Sequence, residues 1–354
     1  MTNINDFLKD QVDRNQTPSI QYAFFDPDSI IYELQYGLKN VKAREPIDTS
    51  TTYHLYSVTK TFTALAVLQL AQAGKVQLSK PASQYLPEFP YNKDITVEQL
   101  LSHTSGIPNP IPLKWIHLED EHQDFEHDKF FAQIFSNHSR LNFKPGSDFK
   151  YSNLGYVLLG QLIERVSGRS FEEYITQSIL EKSGIEKGEL GFEINPEVHA
   201  TGYHKEWSIS NAFLGFLIDK SKFMGEREGK WKPFKRFYNN GKAYGGLIGS
   251  GKGLIKYAQA LIREDSVLLS DAYKEILFTG KVIANKPTGM SFSWFTGILK
   301  GSRYFAHAGG GGGYYVELRV YPELHVGSVI LYNRSGMSDE RILSQADIFF
   351  LTAR

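Results

Sequence analysis

Apolar and polar residues recur along the chain with the periods of helices and strands. Ile4, Phe7, Leu8 and Val12 stand at helical spacing, which predicts an amphipathic helix over residues 3–15. Two longer apolar segments predict buried helices that end at a glycine, the residue favoured just after a helix C-terminus. The predicted helices of the central and later chain cover 57–73 before Gly74, the turns capped by Thr96 and Ser170, 153–166 before Gly168, 250–263 and 270–278.

Two β-rich runs near the N-terminus and four near the C-terminus predict strands. Ile20–Phe25 and Ile30–Tyr36 flank the turn-forming sequence Asp26-Pro27-Asp28-Ser29, so they predict a hairpin. Ser338 is expected to cap a final helix that ends near residue 352. The four later runs cover 294–299, 304–307, 314–321 and 326–332.

The order of these elements predicts an α+β fold. Strands lie at both ends of the chain with helices between, so we expect one antiparallel sheet, built from both chain ends and flanked by helices. The middle of the chain would form an inserted all-helical domain. We place the sheet domain in residues 1–80 and 240–354 and the mostly helical domain in residues 81–239.

Composition narrows the classes of function. The chain has no cysteine, which excludes a disulfide scaffold, zinc–cysteine sites and a catalytic thiol. Its 39 basic and 39 acidic residues cancel, which argues against a nucleic-acid partner bound by phosphate neutralisation. We see no signal peptide and no transmembrane segment. The expectation is a cytoplasmic protein as the sequence stands, or a periplasmic or secreted one if a signal was removed, with the oligomeric state open.

Three stretches resemble functional motifs without meeting their requirements. His117, His122 and His127 stand five residues apart, so a helix would not align them as metal ligands. Residues 220–236 are basic and aromatic, but acidic residues dilute them, and a loop is favoured over a nucleic-acid or membrane patch. The glycine-rich segment 246–253 lacks the hydroxyl residue that follows a P-loop lysine. We expect neither a metal nor an organic cofactor.

The segment Ser57-Val58-Thr59-Lys60 is the most indicative of chemistry. Residues three apart on a helix are neighbours, so the Ser57 hydroxyl and the Lys60 amine can meet at the start of the apolar helix. A helix N-terminus favours a developing oxyanion, and burial would lower the pKa of the lysine toward that of a base. The alternative is a serine that caps the helix beside a surface lysine.

Two further segments favour the catalytic interpretation. Tyr151-Ser152-Asn153 precedes a predicted helix, so a phenol there can share a proton with Ser57 and Lys60. His307-Ala308-Gly309-Gly310 ends a predicted strand, where the glycines leave N–H groups free for a substrate and an oxyanion hole. The alternatives are an ordinary helix cap and a glycine-rich hairpin turn.

Together these segments resemble a known enzyme family. Ser57-x-x-Lys60, Tyr151-x-Asn153 and His307-x-Gly309 are similar, in this order, to the three motifs of the penicillin-recognising serine hydrolases. The tyrosine resembles the branch that contains class C β-lactamases, D-Ala-D-Ala carboxypeptidases and esterases. The resemblance implies a β-lactamase/DD-peptidase-like sheet joined to a helical domain, with the site between them. It covers residues 15–350 and includes flanking similarity at 100–106, 145–156, 245–247 and 333–336.

The resemblance implies a role for each motif residue. Ser57 would be the nucleophile, and Lys60 and Tyr151 would share the work of general base and acid. Asn153 would position Lys60 and a substrate carbonyl. The oxyanion hole would consist of the backbone N–H groups of Ser57 and of Gly310, which follows the third motif. His103, in the flanking segment 100–106, would support the fold and take no part in the chemistry.

The third motif departs from the family pattern. His307 stands where the family has a lysine, so positive charge there depends on the pKa of the imidazole. Ala308 replaces a threonine and removes a hydroxyl that would help to hold a substrate carboxylate. Gly309 keeps the pattern, and Arg341 is a candidate partner for a carboxylate.

We therefore predict a serine hydrolase that acts through an acyl-enzyme on a small ester, amide or D-amino-acid-type peptide. A β-lactamase is the first alternative, and the changed third motif argues against it. A non-catalytic penicillin-binding-like scaffold or binding protein is the second, and the intact Ser57, Lys60 and Tyr151 argue against it. An esterase of the α/β-hydrolase fold is disfavoured because no serine lies in a G-x-S-x-G sequence.

Overall fold

A seven-stranded antiparallel sheet organises the protein, as the computed structural model describes it for residues 3–110, 114–205, 219–335 and 341–351. Its strands are β1 (Ser19–Phe25), β2 (Ile30–Asn40), β3 (Glu45–Pro46), β13 (Phe295–Leu299), β14 (Ser302–Gly310), β15 (Tyr315–Tyr321) and β16 (Val326–Tyr332). Their order is β13-β14-β15-β16-β1-β2-β3, and each neighbouring pair is antiparallel. The N-terminal hairpin thus joins the C-terminal strands in one sheet, which confirms the predicted α+β fold.

Nine shorter strands of the described chain lie between β3 and β13 in the sequence. β4, β10 and β6 form a three-stranded sheet, and three two-stranded pairs are β5 with β9, β7 with β8, and β11 with β12. These strands are β4 (Thr52–His54), β5 (Ile116–Leu118), β6 (Leu190–Gly191), β7 (Tyr203–Lys205), β8 (Trp231–Pro233), β9 (Phe237–Asn239), β10 (Ile248–Ser250), β11 (Val282–Ile283) and β12 (Lys286–Pro287).

Helices pack on the large sheet, and most of them lie between β3 and β13 in the sequence. The first five are α1 (Ile4–Asp13), α2 (Thr59–Gln72), α3 (Val97–Leu101), α4 (His127–Asn137) and α5 (Asn153–Ser167). The others are Phe171–Ile175, Lys220–Phe223, Lys242–Gly245, Gly251–Ile262, Asp271–Phe278 and the C-terminal helix Arg341–Asp347, with a π-helical turn at Thr176–Leu180. The predicted cap Ser338 lies outside the described residues.

Most predicted elements are present, and the differences are local. Gly74 and Gly168 follow their helices with positive φ angles of 70° and 71°, as expected for glycines at helix ends. Segment 81–239, predicted as helical, also contains the short strands β5 to β9. Strands of two or three residues are too short to show an alternating pattern, so the sequence gives no signal for them. The domain boundaries at 80 and 240 stay a prediction.

Both faces of the large sheet are buried. One face packs with α2, α5 and the helix Gly251–Ile262 in the main apolar core, to which Leu318 and Leu331 belong. The other face packs with α1 and the C-terminal helix, and Tyr22 and Ile330 belong to that cluster. None of the helices in the described part of the chain has the length and apolar composition needed to span a membrane. The cytoplasmic location expected from the sequence stays a prediction.

A cluster of buried charges fixes the C-terminal helix to the sheet. Arg319 on β15 binds Glu317 at 2.8 Å and lies 3.6 Å from Asp347 of that helix. Each of these three side chains is at most 3 % exposed. Tyr315 donates a hydrogen bond to the second oxygen of Glu317 at 3.1 Å. The Asp347 carboxylate accepts hydrogen bonds from the hydroxyl groups of Tyr22, Tyr321 and Ser328.

Burial of Glu317 makes the stability of the folded protein depend on pH. Desolvation raises the pKa of Glu317 from 4.5 to about 7, although Arg319 acts in the opposite direction. The folded state therefore binds more protons than the unfolded state between these two pKa values. Stability is retained below the unfolded pKa and lost as the pH rises toward the folded pKa.

We expect Glu317→Gln to reduce this loss of stability. The amide oxygen still accepts from Arg319, the hydroxyl of Tyr315 can accept from the amide nitrogen, and no carboxylate has to ionise in the sheet. Urea unfolding of both proteins at about pH 5 and about pH 8 measures the effect. Asp347 stays in both proteins, so an equal loss of stability in wild type and variant would contradict the assignment to Glu317.

Candidate active site

Ser57 lies in a single 3₁₀ turn, Tyr56–Val58, between β4 and α2. Tyr56 has a φ angle of 44°, in the left-handed region that residues with side chains rarely adopt. Its hydroxyl donates a hydrogen bond to the Gly312 carbonyl at 2.7 Å, which helps to hold the turn. A strained residue fixed by its surroundings is a common feature of functional sites. The predicted helix over 57–73 thus begins with a tight turn that leaves the Ser57 side chain partly accessible.

Lys60 is fully buried beside Ser57. Its Nζ lies 3.1 Å from Ser57 Oγ and donates to the Tyr244 carbonyl at 2.7 Å. The rings of Tyr151, Tyr156 and Tyr244 surround the amine at 5.0, 5.7 and 5.2 Å from their centres. Burial holds the pKa of Lys60 well below its usual value. An uncharged amine at this position can accept the proton of the Ser57 hydroxyl.

The segment 243–247 holds α2 in place around Lys60. Thr63 donates to the Ala243 carbonyl at 2.6 Å, and the Leu247 N–H donates to the Thr59 hydroxyl at 3.2 Å. With the bond from Lys60 to Tyr244, three polar contacts join the two segments. The role of Tyr244 was not predicted; the threonines in an otherwise apolar helix are the signal for a polar neighbour.

Tyr151 faces His307 across the site. Its hydroxyl lies 3.5 Å from His307 Nε2. Burial raises the pKa of Tyr151, and a hydrogen bond with Ser57 only partly opposes that rise. The side chain is therefore a neutral phenol near neutral pH, which can donate a proton and does not act as the resting base.

His307 supplies a neutral imidazole rather than a positive charge. Its Nδ1 is 2.8 Å from the Ala308 carbonyl and donates to it, so Nε2 remains an acceptor in the neutral ring. Burial lowers the pKa of His307 to about 3. The neighbouring Ala308 packs against the apolar cluster on the other face of the sheet. The third motif therefore adds no cation to the site at neutral pH.

Asn153 begins α5 at the edge of the site and is 5 % exposed. Its backbone N–H and its Nδ2 both donate to Asn109 Oδ1, each at 3.0 Å. The bond to Lys60 that the resemblance implies is not formed between described atoms of these two residues. Arg341 begins the C-terminal helix, and its side chain lies outside the described part of the structure.

The third-motif glycines bring β14 against the backbone of Ser57. A methyl group on Gly309 would lie 2.1 Å from the Leu55 carbonyl oxygen and 3.0 Å from the Ser57 nitrogen. A methyl group on Gly311 would lie 2.5 Å from the Tyr56 ring. Gly310 is exposed, and a methyl group there would meet only Tyr315, at 3.6 Å. The backbones of Ser57 and the glycine run therefore come together as an oxyanion hole requires.

Two aromatic residues complete the site. His103 stacks on Tyr151 at 4.3 Å between ring centres, and its Nδ1 accepts from the Ser152 N–H at 3.1 Å. Phe295 is 41 % exposed, and its ring lies 6.3 Å from that of Tyr151 and 5.6 Å from that of His307. His103 thus packs against Tyr151, and its supporting role stays a prediction. Phe295 was not predicted, because a single exposed aromatic residue in a strand carries no functional pattern.

These motifs and this fold match one family over almost the whole chain. Residues 4–349 match the sequence model described as beta-lactamase. The chain belongs to the beta-lactamase family. Within its described residues, no group of three or more His, Asp or Glu side chains is placed to hold a metal ion.

Curated relatives of this family member are longer than the chain. A penicillin-binding protein of Bacillus subtilis is 27 % identical over 296 residues, which are 80 % of this chain and 61 % of the relative. Protein Flp of Staphylococcus aureus is 30 % identical over 211 residues, which are 58 % of this chain and 41 % of the relative. The chain therefore spans about half the length of these proteins.

Solved structures share the fold. The octameric penicillin-binding protein homologue of Pyrococcus abyssi is 27 % identical, with a TM-score of 0.78 over 98 % of this chain and 76 % of that one. The D-amino acid amidase of Ochrobactrum anthropi is 19 % identical, with a TM-score of 0.79 over 98 % of this chain and 95 % of that one. The second likeness shows the fold alone.

We expect Gly309→Ala to impair hydrolysis of a para-nitrophenyl ester by at least about tenfold and to lower stability by about 1–3 kcal/mol. The added methyl group would push β14 away from Leu55 and Ser57. Gly280→Ala is the matched control, because a methyl group there meets nothing within 4 Å. Ester turnover and thermal unfolding are measured for both variants. Wild-type turnover in Gly309→Ala would show that the close approach is not required.

Proposed function

We propose that this member of the beta-lactamase family is a serine hydrolase that cleaves a small ester or amide through an acyl-enzyme on Ser57. The observation that carries the proposal is the buried Lys60 amine, 3.1 Å from Ser57 Oγ. A buried lysine with a strongly lowered pKa is costly to a fold and useful as a base. A merely structural lysine would keep its charge at the surface.

In the proposed mechanism, Lys60 takes the proton of Ser57 as Oγ attacks the substrate carbonyl carbon. The backbone N–H groups of Ser57 and Gly310 stabilise the oxyanion. The neutral phenol of Tyr151 gives its proton to the leaving group as the bond to the acyl carbon breaks, and Lys60 returns a proton to Tyr151. Water then cleaves the acyl-enzyme by the same proton transfers, which restores Ser57.

The neutral third motif favours substrates without a carboxylate. In this proposal, His307 offers an acceptor and no cation, and Phe295 offers an apolar wall beside it. A carboxylate in this region would lose hydration without gaining an ionic partner from His307. Hydrolysis of β-lactams is the second candidate, favoured by the family match. The same absence of charge on His307 makes it the weaker one.

We expect Ser57→Ala to abolish covalent labelling by a fluorophosphonate, because Ser57 is the serine that lies beside the Lys60 amine among the described residues. Intact-mass spectrometry of the wild type should show one added phosphonyl group. Ser29→Ala is the matched control, because Ser29 is exposed in the turn between β1 and β2 and its loss should leave labelling intact. A parallel incubation with a penicillin reports recognition of β-lactams. Labelling of Ser57→Ala at the wild-type rate would refute the proposal.

We expect His307→Lys to shift selectivity toward carboxylate substrates by about tenfold or more, the scale of one charge-assisted hydrogen bond. The matched substrates are para-nitrophenyl pentanoate and the mono-para-nitrophenyl ester of glutaric acid. Their kcat/KM ratio is compared at about pH 7.5, well above the lowered pKa of His307 of about 3. His307→Gln is the uncharged control. An equal ratio in wild type and His307→Lys would show that this position does not read substrate charge.

A further inference from the structure

The side chain of Tyr56 connects the turn that carries Ser57 to the glycine loop 311–313, which follows β14. The Tyr56 hydroxyl donates a hydrogen bond to the Gly312 carbonyl at 2.7 Å. Its ring is buried, and a methyl group on Gly311 would lie 2.5 Å from a carbon of that ring. Tyr56, the residue directly before Ser57, therefore meets this loop with both its ring and its hydroxyl.

The backbone of Tyr56 adopts a conformation that a tyrosine does not favour. Its φ angle of 44° lies in the left-handed region, which costs energy for a residue with a side chain. Such a conformation persists where the surrounding contacts hold it. The rings of His54 and Tyr314 lie next to the Tyr56 ring, at 5.7 and 6.5 Å between ring centres. These contacts fix the position of the ring, and the hydroxyl then fixes the Gly312 carbonyl relative to it.

The glycine loop is fixed on its other side by a different part of the chain. The Tyr203 N–H donates to the Gly313 carbonyl at 3.3 Å. Gly202 lies so close to the loop that a methyl group on Gly313 would be 2.6 Å from the Gly202 Cα. Glycine has the largest backbone freedom of all residues, so a glycine loop keeps one shape only where such contacts hold it. The Tyr56 hydroxyl supplies such a contact on the side of the turn Tyr56–Val58.

The two segments that Tyr56 joins supply the two N–H groups of the proposed oxyanion hole. One belongs to Ser57, and the other belongs to Gly310, directly before the glycine loop. A methyl group on Gly310 would meet only Tyr315, at 3.6 Å, so side-chain packing does little to fix this residue. Donors stabilise an oxyanion best when their positions are set in advance, to within about 0.5 Å. The spacing of the two N–H groups therefore depends on how firmly the loop is held to the turn.

We propose that Tyr56 is a positioning residue that sets the spacing of the two oxyanion-hole N–H groups through its hydrogen bond to Gly312. The proposal rests on the proposed hydrolysis at Ser57 and adds to it a residue outside the three motifs. Without the hydroxyl, the Gly312 carbonyl loses its donor and the glycine loop gains freedom, so the Gly310 N–H is no longer fixed relative to Ser57. The loss falls on the transition state, in which the oxyanion carries its charge, so kcat and kcat/KM fall together.

Two esters that differ in one atom test this role. They are para-nitrophenyl acetate and its thiono analogue, in which sulfur replaces the carbonyl oxygen and the leaving group is unchanged. Sulfur is a weak hydrogen-bond acceptor, so the oxyanion hole favours the oxygen ester. The readout is the ratio of the two kcat/KM values, each corrected for spontaneous hydrolysis. Tyr56→Phe keeps the ring and removes the hydroxyl, and we expect it to lower this ratio by about fivefold or more.

Two further variants separate the role of the hydroxyl from a general defect. Tyr36→Phe is the matched control, because the Tyr36 hydroxyl also donates one hydrogen bond, to Asp13 on the other face of the large sheet. Its loss should leave the ratio unchanged. Tyr56→para-aminophenylalanine returns a donor to the same place and should restore the ratio. Both esters are measured on the same sample, so a lower folded fraction cancels in the ratio.

The possible results distinguish this proposal from the one on which it rests. Turnover of neither ester by the wild type, with no labelling of Ser57, overturns the proposed hydrolysis. Turnover of both esters without a preference for oxygen overturns the oxyanion hole and the role of Tyr56, whereas Ser57 stays the nucleophile if it is labelled. An oxygen preference that Tyr56→Phe leaves unchanged, including an equal fall for both esters, overturns the role of Tyr56 alone.

Discussion

The burial of Lys60 is the constraint on which the site depends. Removing an amine from water is costly, and the fold surrounds this one with three tyrosine rings, a backbone carbonyl and the Ser57 hydroxyl. Desolvation lowers the pKa of Lys60, whereas it raises the pKa of Tyr151. One physical effect therefore favours a neutral amine and a neutral phenol side by side, because the two groups carry charge in opposite protonation states.

The backbone around Ser57 is shaped by contacts that tolerate no side chain. Tyr56 occupies the left-handed region, and its ring fills space that a side chain on Gly311 would take. Gly309 lies against the Leu55 carbonyl in the same way. In the sequence, the glycines that follow His307 are typical of a flexible turn. In the structure, they pack against the strained turn Tyr56–Val58. These contacts hold the end of β14 against the start of α2, although the two elements are far apart in the sequence.

The sequence predicted the large sheet because its strands are long enough to show alternating or continuous apolar patterns. It predicted Ser57, Lys60, Tyr151 and His307 because they lie in spaced motifs. Asn109 and Phe295 contact site residues that are far away in the sequence, so no local pattern marks them. The neutral state of His307 depends on burial and on its bond to Ala308. A sequence gives the residue type and leaves the protonation state undetermined.

The polarity of the site follows from these contacts taken together. His307 Nε2 and Asn153 Oδ1 are both hydrogen-bond acceptors, and the His307 ring carries no positive charge at neutral pH. In a family whose third motif usually carries a lysine, exchanging that lysine for a buried imidazole changes the charge of the site from positive to neutral. An acceptor-rich site selects substrate groups that donate hydrogen bonds, whereas a cationic site selects carboxylates. If Ser57 acts as proposed, the charge of the third motif is therefore the feature of the site that would decide between substrates with and without a carboxylate.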